Sequence, residues 1–212
     1  MVITTFNRPD LLERCLEGFA RQTLVRMAFE VIVVDDGSDT PAQPVVDRFR
    51  ERLDVGFHRQ ANAGLAAARN AGIARARAAV IVPYDDDNCP HPECLAEHDR
   101  FHREHPAVEE AMLAHMQWAP DLEVTPLMHY LTQVDARLWC YQGMQPGVPL
   151  PFGTLWGGMS SYKKALIDRA GGFDPRFRFG YEDTEAELRM RRLGSSFDRV
   201  PGGADEVGRP SF

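Results

Sequence analysis

Three consecutive carboxylates, Asp85, Asp86 and Asp87, follow the short apolar run Val80-Ile81-Val82-Pro83-Tyr84. Adjacent anions repel one another, so a site built from them calls for a cationic partner. Mg²⁺ or Mn²⁺ meets that need, because both take hard oxygen ligands and leave positions for the oxygens of a bound phosphate. A second apolar run, Val31-Ile32-Val33-Val34, ends in Asp35 and Asp36. A third acidic group, Glu182, Asp183, Glu185 and Glu187, opens a helical pattern near the carboxyl end. The helix dipole stabilises acids in a first turn, which accounts for some of these four but not easily for all of them. The plain alternatives are an acidic surface loop at Asp85 to Asp87 and helix capping by Asp35 and Asp36.

The elements that would position these groups follow from periodicity. Residues 80–82 are too short a run for a helix and read as a buried strand. The three acids then lie just past its carboxyl end, where open α/β sheets place their ligands. Residues 2–6 form a first strand. Asn7-Arg8-Pro9-Asp10 starts a helix with Asn or Asp as cap and Pro where a missing N–H costs nothing. Its apolar face is Leu11, Leu12, Cys15, Leu16 and Phe19, so Cys15 is a core residue rather than a reactive thiol. Residues 29–34 are β-branched and nearly all apolar, as in the middle of a parallel sheet. Parallel strands point their carboxyl ends the same way, which brings Asp35 and Asp36 to the edge that carries Asp85 to Asp87.

Downstream, a weaker strand at 55–58 leads into Asn62-Ala63-Gly64, and Gly64 opens an Ala-rich helix with room for a ligand to approach. Arg69 lies about a turn inside that helix, able to reach back toward phosphate oxygens. No Gly-x-Gly-x-x-Gly follows a strand and no Gly-x4-Gly-Lys-Ser/Thr occurs, which argues against dinucleotide and P-loop sites. A helix follows Pro92 to about His105. Cys94, His98 and His102 share one of its faces, with Cys89 nearby, but the spacing matches no zinc module, and a solvated His-rich face is expected. Residues 111–118 alternate as a strand, and Thr125-Pro126 begins a short helix. The irregular stretch 136–152, with Trp139, Tyr141 and Met144, has the length of a substrate loop. A glycine-relieved strand is expected over 156–162, then a helix closed by Gly171 and Gly172. A last amphipathic helix, with Leu188, Met190 and Leu193 inward, ends at Gly194.

At 212 residues, the chain suffices for one large domain with a proper core or for two very small ones. A net charge of −7, from 24 Lys and Arg against 31 Asp and Glu, argues against a nucleic-acid partner. No apolar run spans a bilayer, the first residues are no signal peptide, and four cysteines make no disulfide framework. A reduced, cytoplasmic setting is the expectation.

In this order the residues resemble the inverting nucleotide-sugar glycosyltransferases of family 2, which have the GT-A fold. The resemblance runs from Val2 to about Pro201. It is carried by Ile3-Thr4-Thr5-Phe6-Asn7-Arg8, Val33-Val34-Asp35-Asp36-Gly37-Ser38, Asn62-Ala63-Gly64 with Ala68-Arg69-Asn70, and Tyr84-Asp85-Asp86-Asp87. Gly157-Gly158 with Ser160, and Gly171-Gly172-Phe173-Asp174 through Glu182-Asp183, complete it. The carboxyl-terminal segment is also similar to the carboxyl-terminal part of galactosyltransferases. The resemblance implies an α/β fold with a Rossmann-like, mostly parallel central sheet flanked by helices. It implies one catalytic domain over 1–212, with a nucleotide-binding half at 1–105 and an acceptor-binding half at 106–212.

Roles follow position by position. Thr4 and Asp36 would line the nucleobase pocket, and Asn62 and Arg69 would sit near the nucleotide. Asp85 and Asp87 would be the Asp-x-Asp pair, Asp85 toward the ribose and sugar, Asp87 on the Mn²⁺ or Mg²⁺ that bridges the diphosphate. Asp183 would be the general base, with Glu182 assisting or binding acceptor. The implied donor is a nucleotide-sugar, with uracil as its base; the acceptor, whether glycan, lipid or small molecule, is open. Family members often carry a His shortly after the last strand, whereas residues 199–207 have none. Asp205 or Glu206 would take its place, the metal would be held less fully, or a further segment would supply it. The chemistry suits these residue types: a leaving diphosphate needs neutralising, and an attacking hydroxyl needs a base. The competing reading is a non-catalytic nucleotide-sugar-binding domain of the same fold. A nucleotidyltransferase would want a Gly-rich, basic amino-terminal loop, which Thr4 to Arg8 is not.

Overall fold

The computed structural model describes residues 1–119, 122–134, 141, 144–145, 148–178, 180–199 and 206–208. The amino-terminal half alternates strand and helix: β1 (Val2–Thr5), α1 (Pro9–Phe19), β2 (Val31–Asp35), α2 (Gln43–Asp47), β3 (Val55–Arg59) and α3 (Leu65–Arg75). Next come β4 (Val80–Ile81), β5 (Pro83–Asp85), β6 (Asn88–Pro90), α4 (Cys94–Glu104), β7 (Glu110–Leu113), β8 (Met116–Trp118) and α5 (Pro126–His129). The described elements end with β9 (Ser160–Lys163), α6 (Lys164–Ala170), α7 (Glu182–Arg192), β10 (Ser196–Arg199) and β11 (Glu206–Gly208).

The first sheet has the order β3-β2-β1-β5, and all its pairings are parallel. Helical crossovers between parallel strands produce this arrangement. Its register puts Thr4 beside both Val34 and Asp85, and Thr5 beside Asp35. The two acidic strand ends therefore emerge at one edge, as the sequence pattern implies. Residues 80–85 bind two sheets together. Ile81 pairs antiparallel with Tyr162 of β9, the Val82 carbonyl accepts the Val2 N–H at 2.9 Å, and Asp85 pairs with β1. A second sheet, β10-β7-β9-β4, mixes parallel and antiparallel pairs, and β11 lies between β6 and β8 in a third.

Strand alternation divides the core between the two faces of the first sheet. Ile3, Val31 and Val33 pack with Leu12, Leu16 and Phe19 of α1 and with Val46 of α2. Val2 instead joins Ala66 and Ile73 of α3 in a cluster with Met112, Tyr162, Phe173 and Phe197. Burying each such side chain stabilises the fold by roughly 1.5–3 kcal/mol. Cys15 is fully buried among these residues, as its helical spacing predicts.

Several local expectations change. Asn7 does not cap α1. It adopts a left-handed φ of 57°, while its amide exchanges hydrogen bonds with Asp39 at 2.7 and 3.2 Å. The 111–118 segment is two strands, β7 and β8, and the 156–162 strand begins only at Ser160. The His-rich face of α4 points inward. His98 and His102 are buried, and both rings contact the Ser161 hydroxyl at 2.8 Å. Leu188 is exposed, whereas Ala186 and Met190 of α7 are buried and Leu193 packs against the same core, as expected of Met190 and Leu193. Tyr141 stands between His115 and Trp156, its hydroxyl accepting the Met116 N–H. Trp139, and Asp205 as a stand-in for the family His, lie outside the described residues; for Glu206 the backbone alone is described. Among the described residues, no helix is long and apolar enough to cross a membrane.

Candidate active site

A cleft of about 580 Å³ opens at the carboxyl edge of the parallel sheet. Thr4, Asp36, Asn62, Asp85 and Asp87 all line it. Asp35 does not: its carboxylate is fully buried and accepts the Ser38 and Ala42 N–H groups at 2.8 and 3.0 Å, fixing the turn after β2. Asp36 points the other way along the chain. It accepts the Gln60 side-chain amide at 2.8 Å and the Ala63 and Gly64 N–H groups at 3.0 and 2.8 Å, so it holds the 60–64 loop against the cleft.

Gly64 turns that loop into α3 with φ +92°, a left-handed conformation that glycine adopts without strain. A Cβ there would come within 2.9 Å of the Arg178 carbonyl, so its smallness serves a chain contact as well as the cleft wall. The same Arg178 donates to the Asn62 side-chain oxygen at 3.1 Å and lines the cleft.

Arg69 is placed differently from its sequence expectation. It does not line the cleft; it is 2% exposed and lies beneath it. Its Nη2 donates to Asp85 Oδ1 at 2.9 Å, and its Nη1 donates to Glu182 Oε1 at 2.6 Å. Burial opposes its charge, and Asp85, Glu182 and Asp183 outweigh that penalty. A single guanidinium thus joins the acidic strand end to the acidic helix start.

Two glycines make that junction fit. A Cβ on Gly157 would fall 2.3 Å from Arg69 Nη1, and one on Gly158 2.4 Å from Asp85 Oδ2. Their sequence signature, read as a relieved strand, is in fact clearance for two charged side chains.

The third acidic cluster separates by function. Glu187, fully buried, accepts the Gly153 and Leu155 N–H groups, each at 3.0 Å, and pairs with Arg191 at 2.7 Å. Glu185 pairs with Arg189 one turn along α7. Only Glu182 and Asp183 meet the site. Gly180 and Tyr181 both take left-handed backbone angles, which aims the start of α7 at Arg69. Asp183 accepts the Gly157 N–H at 3.1 Å and the Thr184 N–H at 2.6 Å, so both its oxygens are held in place. Burial raises the Glu182 carboxyl above the ordinary range, and the Arg69 charge opposes that rise.

At the acidic turn, burial pushes the Asp86 carboxyl up to about 7, with the Thr5 hydroxyl and Arg8 opposing. Asp85 and Asp87 are the open members, with side chains 39% and 16% exposed. Hard carboxylate oxygens on a cleft wall fit Mg²⁺ or Mn²⁺. Among the described residues, no group of three or more His, Cys, Asp and Glu is placed to hold a metal ion. Such a cation would take one or two protein carboxylates and complete its shell with donor oxygens, as Mg²⁺ commonly does. Sequence reasoning gave no role to Phe6, Arg8 or Arg178 at this cleft, and counted Asp86 only as one of three acids beside a cation. Arg8 stood within a motif block, but nothing local distinguishes Arg178, whose neighbours in space are more than a hundred positions away.

Residues 1–109 match the glycosyl transferase family 2 model, and residues 141–210 match a model described as the N-terminal domain of galactosyltransferase. Hyaluronan synthase from Pasteurella multocida is 27% identical over 95% of this chain, and chondroitin synthase from Escherichia coli is 28% identical over 95%. The chain spans only 24% and 33% of those two proteins. Among solved structures, S. aureus TarS residues 1–349 superpose with a TM-score of 0.78 at 21% identity, covering 98% of this chain and 59% of that one. The mannosyltransferase PcManGT from Pyrobaculum calidifontis, solved with GDP-Man and Mn²⁺, gives a TM-score of 0.70 at 21% identity over 99% of this chain and 56% of that one. Both likenesses show the GT-A type of fold.

Proposed function

The chain belongs to glycosyl transferase family 2, and we propose that it moves a sugar from a nucleotide-sugar donor to an acceptor hydroxyl, inverting the anomeric carbon. The observation that carries this reading is Arg69, which spans Asp85 of the donor cleft and Glu182 beside Asp183. A displacement needs a leaving-group side and a proton-accepting side held in fixed relation, and one buried side chain supplies that relation here.

In this reading residues 1–105 bind the donor and residues 106–212 the acceptor. Thr4 and Asp36 line the nucleobase pocket, and Asp36 does so by holding the loop that carries Asn62. Asp85 meets the ribose and sugar, its orientation set by Arg69. Asp85 and Asp87 would hold the Mn²⁺ or Mg²⁺, which supplies positive charge against the departing diphosphate. Asp183, fixed by the Gly157 N–H, takes the proton of the acceptor hydroxyl while the hydroxyl oxygen bonds to the anomeric carbon. The bond from that carbon to the diphosphate breaks, and the diphosphate leaves with the electron pair. Glu182 assists from the buried side of the same helix turn. Uridine diphosphate is the proposed carrier, in keeping with the UDP and UDP-GlcNAc complexes of TarS.

The test is nucleoside diphosphate release from a panel of UDP-, GDP- and dTDP-sugars with Mn²⁺, Mg²⁺ or EDTA, beside an Asp87→Ala variant. Metal-dependent release from one donor, lost in the variant, is the expected result. Binding of UDP with Mn²⁺ but no release from any donor would favour the non-catalytic binding domain instead.

A further inference from the structure

Arg8 stands over the acidic turn in a way that none of the proposed roles uses. Its Nη1 lies 3.4 Å from Asp86 Oδ1 and 3.4 Å from Asp87 Oδ2. Charge-assisted N–H···O contacts close at about 2.7–2.9 Å. Arg69 reaches such distances, at 2.6 and 2.9 Å. Arg8 is therefore shared between two carboxylates and tightly bound to neither. Its side chain is 40% exposed, so it has solvent to move through.

The backbone that presents it is fixed. Asn7 N–H donates to the Ser38 hydroxyl at 2.9 Å, and the Asn7 amide is clamped to Asp39. That clamp holds the left-handed turn from which Arg8 leans into the cleft. Below it, Asp86 Oδ2 is buried with no hydrogen-bond partner among the described residues, so the contact with Arg8 leaves that carboxyl incompletely satisfied. Among the described residues, the other cation lining the cleft, Arg178, is bound to Asn62, and Arg69 is committed to Asp85 and Glu182.

We propose that Arg8 is the built-in counter-cation of the donor site, neutralising Asp86 and Asp87 until a divalent cation arrives and then turning to the donor diphosphate. The inference rests on the nucleotide-sugar reading of the cleft. It makes cation and nucleotide binding cooperative: the incoming cation must displace Arg8, and the displaced guanidinium recovers an anionic partner only if a diphosphate is present. The guanidinium fork suits a diphosphate better than a single carboxylate oxygen does.

Two titrations test it on the whole chain, with free Mn²⁺ read by electron paramagnetic resonance and UDP binding by calorimetry. For Arg8→Gln, Mn²⁺ alone should bind about threefold to fivefold more tightly than to wild type, the scale of one displaced surface ion pair. UDP in saturating Mn²⁺ should bind that variant about tenfold more weakly, the scale of a lost charge-assisted bond. Arg8→Lys, which keeps the charge, should stay near wild type for Mn²⁺ and fall between the two for UDP. Unchanged or weakened Mn²⁺ binding in Arg8→Gln, including none detectable up to millimolar metal, overturns the counter-cation role. Unchanged UDP binding overturns the transfer to the diphosphate. If wild type itself binds neither UDP nor UDP with Mn²⁺, the nucleotide-sugar reading fails, and that result is distinct from either.

Discussion

Arg69 Nη1 and Glu182 Oε1 lie 2.6 Å apart across 113 positions of sequence, and both side chains are buried. Such a pair is expensive to desolvate and holds only where the geometry is good and other partners complete it. Asp85 adds a further partner at 2.9 Å and the Phe173 ring lies 5.5 Å from the guanidinium carbon, while Arg69 Nε and Glu182 Oε2 find no hydrogen-bond partner among the described residues. The site's two acidic sides are therefore built around one cation.

Arg69→Met would leave two carboxylates facing one another with nothing between them. Loss of one partner of a buried pair costs about 3–5 kcal/mol. For a chain of this size that is a fall in Tm of roughly 10 °C. Arg69→Met/Glu182→Met should recover a clear part of the loss, because the stranded carboxylate goes with its partner. Thermal unfolding followed by circular dichroism reads both, and identical melting of the single and double variants would refute the coupling.

Gly158→Ala should strike binding more than folding. The added methyl would sit 2.4 Å from Asp85 Oδ2, so Asp85 must move and donor affinity should fall about tenfold or more. Gly153→Ala is the control. A Cβ there meets nothing within 4 Å, but its φ of +90° makes the change cost about 1 kcal/mol of stability. Calorimetric UDP affinity should separate the two; equal affinities would show that Gly158 clears no path for Asp85.

The strands and the acidic edge were legible because their signals are local. Apolar runs at 31–34 and 80–82 announce buried strands, and parallel topology then brings Asp36 and Asp85 to one edge of the sheet. The helix over 9–19 was equally plain from Pro9 and its apolar face. What stayed hidden depends on partners far along the chain. Arg69 turns inward only because Glu182 is there to meet it. Asn7 leaves its capping role because Asp39, 32 positions on, takes its amide. Glycines that clear space and glycines that relieve a strand look alike in sequence, so Gly157 and Gly158 were misread. A buried histidine face and a solvated one also share a spacing, and the Ser161 hydroxyl between His98 and His102 decides the matter.

Those histidines give the fold an acid-sensitive seam. Burial lowers His98 to about 4, helped by the nearby amino terminus, and burial lowers His102 to about 3, helped by Lys163. Between an ordinary imidazole pKa near 6.5 and these values, the unfolded chain binds protons that the folded chain does not, so stability rises with pH there. The fold keeps this contribution above about pH 6.5 and loses it as pH falls through the window, by roughly 2 kcal/mol per histidine at pH 5. Comparing Tm at pH 7 and pH 5 checks it. His98→Gln should show a clearly smaller drop than wild type, and an equal drop would place the acid sensitivity elsewhere.

The most direct test of the account is Asp183→Asn, assayed for nucleoside diphosphate release and for UDP binding in the same preparation. The amide keeps an oxygen to accept the Gly157 N–H but cannot take a proton from an acceptor. Release should fall by about 10²–10⁴, the usual worth of a general base, while UDP affinity stays within about twofold of wild type. Turnover at the wild-type rate would contradict the assignment of Asp183 and, with it, the division of the site into a leaving-group side and a base side.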